Sequence, residues 1–524
     1  MAVRLLTRWL TALLCLLPAG LSGAVANEFR TPSITAVRVE WRTALDQLRT
    51  EIASRPAAAS RFTFAGQRRV PAWDPRSTPV LVQLNAINAG TFAGIGRSPV
   101  PVLLPFDTAD YLEDQADGAL QPLSRYQADF RPADLFHAGP SGYDAVFSLL
   151  PGAGTDLPSR TFAKPVEVQI TGSMLVYDLA DPLGGRGQAV KALAAQFPDM
   201  RRFIREGYVR YAFTRFGVPY VVSIQCLDSA PRARRLACRE AYPIAERFLK
   251  ALRIAGGQPA RPRHDIPSEV IERPMAASPD FTYHAGGDII ARSSVRRRGG
   301  HADFAAYSQI RFPLEKGPAA VRSQSFGKKK LESVYPWRDN FCEARSFQVG
   351  QCAAGFGHQG QDLRPAPCPP NSTSESSCHP RKQAVVAVRD GVLIRSQKQQ
   401  AATLQINTSN EHIRFRYMHM NPSAMDADGI LNGRPVAEGE KIGVVSNYLD
   451  FPNGTSYHLH FDVQVFTRDG WIWVNPYTTL IASYERLIRG RGREIGTDPP
   501  AVAAVVHVLP EDVLRHNARE GREN

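Results

Sequence analysis

Hydrophobic residues fall at helical spacing in a few places and in short apolar or alternating runs nearly everywhere else. Val37, Trp41, Leu45, Leu48 and Ile52 recur every three to four residues, which predicts an early helix. Ala241, Ile244, Ala245, Phe248, Leu249 and Leu252 predict a second helix, ended by Gly256-Gly257, and residues 189–204 read as helical until Pro198 breaks them. Residues 80–82, 102–104, 166–170 and 218–224 are apolar runs bounded by Pro, Gly and Asp, the mark of short strands. Residues 27–257 therefore read as an α+β domain. Residues 335–484 read as a further domain, and to about residue 480 its pattern is almost wholly β. Runs at 384–388, 391–394, 403–406, 413–418, 441–445 and 458–465 follow closely, with Gly and Asn turns between them. They predict an all-β open barrel or sandwich of antiparallel strands. A linker rich in Gly, Pro and Arg (258–280), a β-rich lead-in (281–334) and a basic tail (485–524) complete a multidomain chain.

The 524 residues leave room for about three domains. At the N-terminus, Arg4 and Arg8 flank an apolar run too short to span a bilayer, and Ala24-Val25-Ala26 is a small-x-small cleavage pattern. Residues 1–26 thus read as a signal peptide, and the mature chain as exported or periplasmic. Cys15 follows Leu14 rather than a small residue, which argues against lipidation. No later stretch is apolar and long enough for stable membrane insertion. Export favours disulfides, and the cysteines fall into neighbours: Cys226/Cys238, Cys342/Cys352 and Cys368/Cys378. Nearest-neighbour pairing is the simplest connectivity, although the last four could cross-pair. The net charge of +13 suits an anionic wall polymer or a charged, soluble surface alike. The runs Arg296–Arg298 and Lys328–Lys330 read as basic loops. Nucleic acid is excluded as a partner by export and by the absence of a reading motif.

Candidate chemistry lies in three separated stretches. In His458-Leu459-His460-Phe461-Asp462-Val463, strand alternation turns His458 and His460 to one face, with Leu459 and Phe461 behind. Gly357-His358-Gln359-Gly360-Gln361-Asp362 offers an imidazole and a carboxylate on a glycine-permitted tight path, and both are good zinc ligands. Arg416-Tyr417-Met418-His419 ends a strand on a histidine, with Tyr417 expected on the same face in a supporting role. His301, Asp303, His379 and His412 carry no such pattern.

Taken in order, these stretches resemble the lysostaphin/LytM-type zinc metallopeptidases over roughly residues 356–476. Val436-Ala-Glu-Gly-Glu-Lys-Ile-Gly resembles a family turn, and Gly454-Thr455-Ser456 resembles the approach to its last motif, with Tyr457 where a small residue is usual. The resemblance implies a Zn²⁺ held by His358, Asp362 and His460, its fourth position left to water. His458 and His419 would be catalytic, one taking the water's proton and one or both stabilising the oxyanion. It further implies endopeptidase activity on peptide crosslinks of cell-wall peptidoglycan. A non-enzymatic activator of another wall hydrolase usually lacks metal ligands, whereas all five positions are intact here. A peptidase for exported proteins remains the other alternative. Residues 364–383 depart from the family as an insertion containing Cys368 and Cys378 that could shape the cleft or merely decorate it. The N-terminal region would target, regulate or occlude the catalytic part.

Overall fold

The computed structural model describes residues 33–53, 79–150, 166–179, 187–226, 236–259, 281–286, 309–321, 336–365 and 383–495, apart from a few positions within them. The expected signal peptide, nearly all of the linker, both basic runs, His301, Asp303, His379, Cys368, Cys378 and the end of the tail lie outside the described residues.

The N-terminal half is built on a seven-stranded sheet. Its order is Phe130–Gly139, Gly142–Leu149, Val166–Ser173, Val218–Gln225, Tyr208–Arg215, Arg201–Arg205 and Gln188–Ala189, antiparallel throughout. One face presents Tyr143, Phe147, Val168, Ile170, Phe213, Tyr220 and Val222. These share a core with Leu48 of helix Trp41–Ala53, Leu84 of helix Pro79–Asn88, and Ile244 and Phe248 of helix Ala241–Lys250. In the last helix the buried Ala241, Ile244, Ala245, Phe248 and Leu249 form one stripe, as their spacing requires.

The C-terminal half carries an eight-stranded antiparallel sheet. Its path is Ala319–Val321, Gln361–Pro365, Leu459–Thr467, His412–Met418, Ala402–Asn407, Gly391–Ile394 and Pro435–Val436, with Gly470–Val474 paired to the far end of 459–467. One face, with Leu404, Ile413, Phe415, Tyr417, Leu459, Phe461, Val463 and Val465, packs in a second core with Leu480 and Tyr484 of helix Tyr477–Ile488. No described sheet closes into a barrel. The sheet instead lays part of its other face on the N-terminal sheet. Phe466 and Trp471 meet Phe203, Ala212 and Val221, and Ile394 meets Leu135 and Val146.

Polar side chains complete that contact. Asp144 accepts from His412 Nε2 at 2.8 Å, Arg414 Nη2 at 3.2 Å and Thr171 Oγ1 at 2.6 Å. Arg210 Nη1 donates to the Trp471 carbonyl at 2.6 Å, and the Arg414 guanidinium lies 4.0 Å from the Trp471 ring centre. His412, set aside in the sequence as having no pattern, is therefore an interface residue.

Several expected elements differ. Residues 80–82 lie in helix Pro79–Asn88, because three consecutive apolar residues suit a half-buried helix as well as a strand: Leu81 is buried and Val82 exposed. The stretch 189–204 is not helical beyond the turn Lys191–Leu193, and its end is the strand Arg201–Arg205. Helix Ala241–Lys250 stops before the glycines, and Arg253–Gly256 pairs with Val102–Leu104. Helix Tyr477–Ile488 falls where the β reading ended. Cys226–Cys238 and Cys342–Cys352 are bonded, as nearest-neighbour pairing expects.

Candidate metal centre

The strand Gln361–Pro365 lies beside Leu459–Thr467 with Asp362 opposite His460, and His412–Met418 flanks the other side with Arg416 opposite Asp462. Alternation turns Phe461 and Val463 into the core and leaves His460 and Asp462 on the opposite face with Asp362 and Arg416. His358 reaches the same point from the loop before Gln361. Its Nε2 is 3.0 Å from His460 Nδ1 and 3.3 Å from Asp362 Oδ1, and His460 Nδ1 is 3.4 Å from Asp362 Oδ1. Donors bound to a tetrahedral zinc at about 2.0–2.2 Å stand about 3.3–3.5 Å apart. The three atoms therefore form one face of a zinc-sized tetrahedron, and all three residues are buried.

Gly360 makes this approach possible. A Cβ there would run into the Phe461 carbonyl and come within 3.0 Å of His460 Nε2. Gly360→Ala is expected to cost about 2–3 kcal/mol in urea unfolding, since backbone rather than a flexible side chain must give way.

Two further imidazoles face this centre. His458 Nδ1–H donates to the Ser456 carbonyl at 2.7 Å, which leaves Nε2, 3.4 Å from Asp362 Oδ1, on the side of the donor cluster. His419 Nδ1–H donates to the Tyr448 carbonyl at 2.7 Å, and its ring centre lies 4.6 Å from that of His458. His419 adopts φ +70°, just past the strand end at Met418. That break undoes the expectation for Tyr417. Its ring lies in the core face, fully buried, and its hydroxyl accepts from Val388 N–H at 3.0 Å.

No protein-family model and no curated protein matches this chain. Among solved structures, it is similar to a protein described as a proposed glycyl-glycine endopeptidase lytM from Ruminococcus gnavus. The identity is 15% and the TM-score 0.23, over 37% of this chain and 66% of that one. The chain thus spans just under two thirds of that protein.

The electrostatics of the centre follow from burial and close partners. For Asp362, burial alone would raise the pKa, but His458 and His358 outweigh it and hold the carboxyl well below the ordinary range. For His419, burial and then the neighbouring His458 and His460 push the imidazole well below its usual range, so it is neutral at pH 7. Both candidate ligand histidines have their outer nitrogen occupied. His358 Nδ1–H donates to the Asn340 carbonyl at 2.9 Å and His460 Nε2–H to Asp462 Oδ2 at 3.1 Å. Each bond selects the tautomer whose lone pair faces the cluster.

Several supporting residues escaped the sequence reading. Asn340 Oδ1 also accepts from Asp362 N–H at 3.3 Å, so one residue steadies two candidate ligands. Asp339 accepts from Phe341 N–H and from Gln361 and Asn475 side-chain amides, which fixes the 339–342 segment beneath the site. Nothing in the pattern of residues 336–345 links them to His358, because the contact is made by backbone and buried amides across a loop. Asp462 was legible in principle, as it lies two residues after His460 on the same strand face.

Proposed function

We propose that this chain is an exported zinc metalloendopeptidase that cleaves peptide crosslinks of cell-wall peptidoglycan. The observation that carries the reading is the buried triangle of His358 Nε2, Asp362 Oδ1 and His460 Nδ1, with His458 and His419 beside it. Two imidazoles and one carboxylate are the donor set of an open, catalytic zinc site, whereas structural sites use four protein ligands, usually with cysteine. Zinc held there would supply Lewis-acid polarisation of the scissile carbonyl and acidify a water.

The protein's own residues do the rest. Asp362 is kept ionised and contributes negative charge to the cluster. His419, neutral at pH 7 with Nδ1 bound to Tyr448, can accept a proton at Nε2. His458, with Nδ1 bound to Ser456, likewise has Nε2 for proton transfer or for a hydrogen bond to a developing oxyanion. Burial of all five residues excludes bulk water and strengthens these interactions. The choice of peptidoglycan rests on the motif resemblance and on the expected export.

The test is zinc content together with muropeptide release from purified sacculi, for the mature chain and for His460→Ala. Stoichiometric zinc and crosslink cleavage, both lost in the variant, are expected. A zinc-loaded chain that leaves sacculi intact overturns the substrate assignment, and a chain that binds no zinc overturns the metal centre.

A further inference from the structure

We infer that Asp462 is a positioning residue for the metal centre, held in place by Arg416 and Trp473, and that it sets which nitrogen of His460 faces the metal. This rests on the zinc reading above and extends it to residues outside the five site positions. Asp462 is fully buried and spends both carboxylate oxygens on three donors. Oδ2 accepts from Arg416 Nε at 2.7 Å and His460 Nε2 at 3.1 Å, and Oδ1 accepts from Trp473 Nε1 at 2.9 Å. The donors come from three adjacent strands. Arg416 is the register partner of Asp462 on 412–418, His460 lies two residues earlier on Asp462's own strand, and Trp473 stands on 470–474. The carboxylate therefore cannot turn without breaking contacts to neighbours that are themselves buried or nearly so. His460 inherits this rigidity. Its Nε2–H is committed to Asp462, so its Nδ1 lone pair is aimed at His358 Nε2 and Asp362 Oδ1.

The support reaches beyond the centre. Trp473 shares a buried cluster with Phe341 and with Val349 and Cys352 of the adjoining disulfide-closed loop that leads to His358. Arg416 lines a small cavity of about 20 Å³ between the two sheets, together with Tyr208, Arg210 and Ser223 of the N-terminal sheet. The N-terminal sheet thus shares the lining of the cavity that Arg416 reaches.

An asparagine at 462 would be nearly the same shape but can offer only one oxygen to three donors. If that oxygen stays with Trp473, its amide N–H₂ faces both Arg416 and His460. His460 then keeps a hydrogen bond only by moving its proton to Nδ1, the nitrogen that must carry the lone pair. The single Asp462→Asn also strands the Arg416 charge, so its stability is a poor guide. Asp462→Asn combined with Arg416→Gln removes both charges and restores neutrality.

The experiment uses the full chain. It compares parent, Asp462→Asn and the double variant by zinc competition with a chromophoric chelator, by the visible spectrum of the cobalt-substituted protein, and by ¹⁵N shifts of His460 without metal. The double variant should melt near the parent without metal yet bind zinc 10- to 100-fold more weakly. It should also show an altered cobalt spectrum and His460 protonated on Nδ1. A parent that binds zinc tightly and a double variant within twofold of it, with the tautomer unchanged, would overturn the inference while leaving the metal centre standing. A parent that binds no zinc overturns both.

Discussion

Asp144→Ala is expected to lower the free energy of unfolding by about 3–5 kcal/mol, although Asp144 lies in the N-terminal sheet, far in sequence from the site. It is 1% exposed and faces His412 and Arg414, both buried on the C-terminal sheet. Removing the carboxylate leaves the guanidinium buried without its counter-charge, which costs more than the pair itself contributes. The same pair predicts an acid limb. Burial would raise the Asp144 pKa, but His412 and Arg414 outweigh it and pull it from the ordinary 3.8 to about 2. A depressed pKa means the contribution is present above about pH 4 and lost as pH falls toward 2; its size is about 2 kcal/mol. Urea midpoints of parent and Asp144→Ala should converge over that window. A variant that unfolds with the parent at pH 7 would show that the two sheets are not energetically joined.

This interface also changes what removal of the N-terminal half would do. A chain beginning near Phe281 would expose Trp471, Phe466, His412 and Arg414, which the N-terminal sheet now covers. Loss of the cooperative fold is therefore the expected result of that truncation, rather than release of a restrained enzyme.

His458→Ala and His419→Ala should each reduce turnover by about 10²–10⁴-fold while zinc remains bound, because neither supplies one of the three clustered donor atoms. The double variant should lose much less than the product of the two effects if both imidazoles act on one proton-transfer and oxyanion step. Zinc content separates this from His460→Ala, where metal and turnover disappear together. Loss of zinc in His458→Ala would instead make His458 a ligand, since its Nε2 is also 3.4 Å from Asp362 Oδ1.

The candidate site was largely legible because its residues sit on locally patterned backbone. Alternation along 459–467 brings His460 and Asp462 to one face, and Gly360 lets the chain that carries His358 approach that strand. The spacing between motifs said nothing of distance. Asp362 meets His460 only because 361–365 pairs antiparallel with 459–467 in one register, and a slip of one residue would turn Asp362 away. Tyr417 shows the limit of alternation, since the rule holds only while the strand continues and His419 leaves it at φ +70°.

The polar residues of the inter-sheet contact carry no such local signal. Asp144, Thr171, Gln405 and Arg414 alternate with apolar residues and look like a solvent face. In the fold they are buried, and Gly142–Leu149 is buried at every position. Strand pattern tells which residues share a face, because side-chain direction is a property of the local backbone. It cannot tell what lies against that face. By itself, then, the sequence determined several strands of the C-terminal half, the face that His460 shares along its strand, and the donor types of the candidate metal cluster. Only the tertiary structure decided their register, the contact of Asn340 with His358, and the burial of a charged face under a second sheet, because these depend on contacts between residues 18 to 268 positions apart.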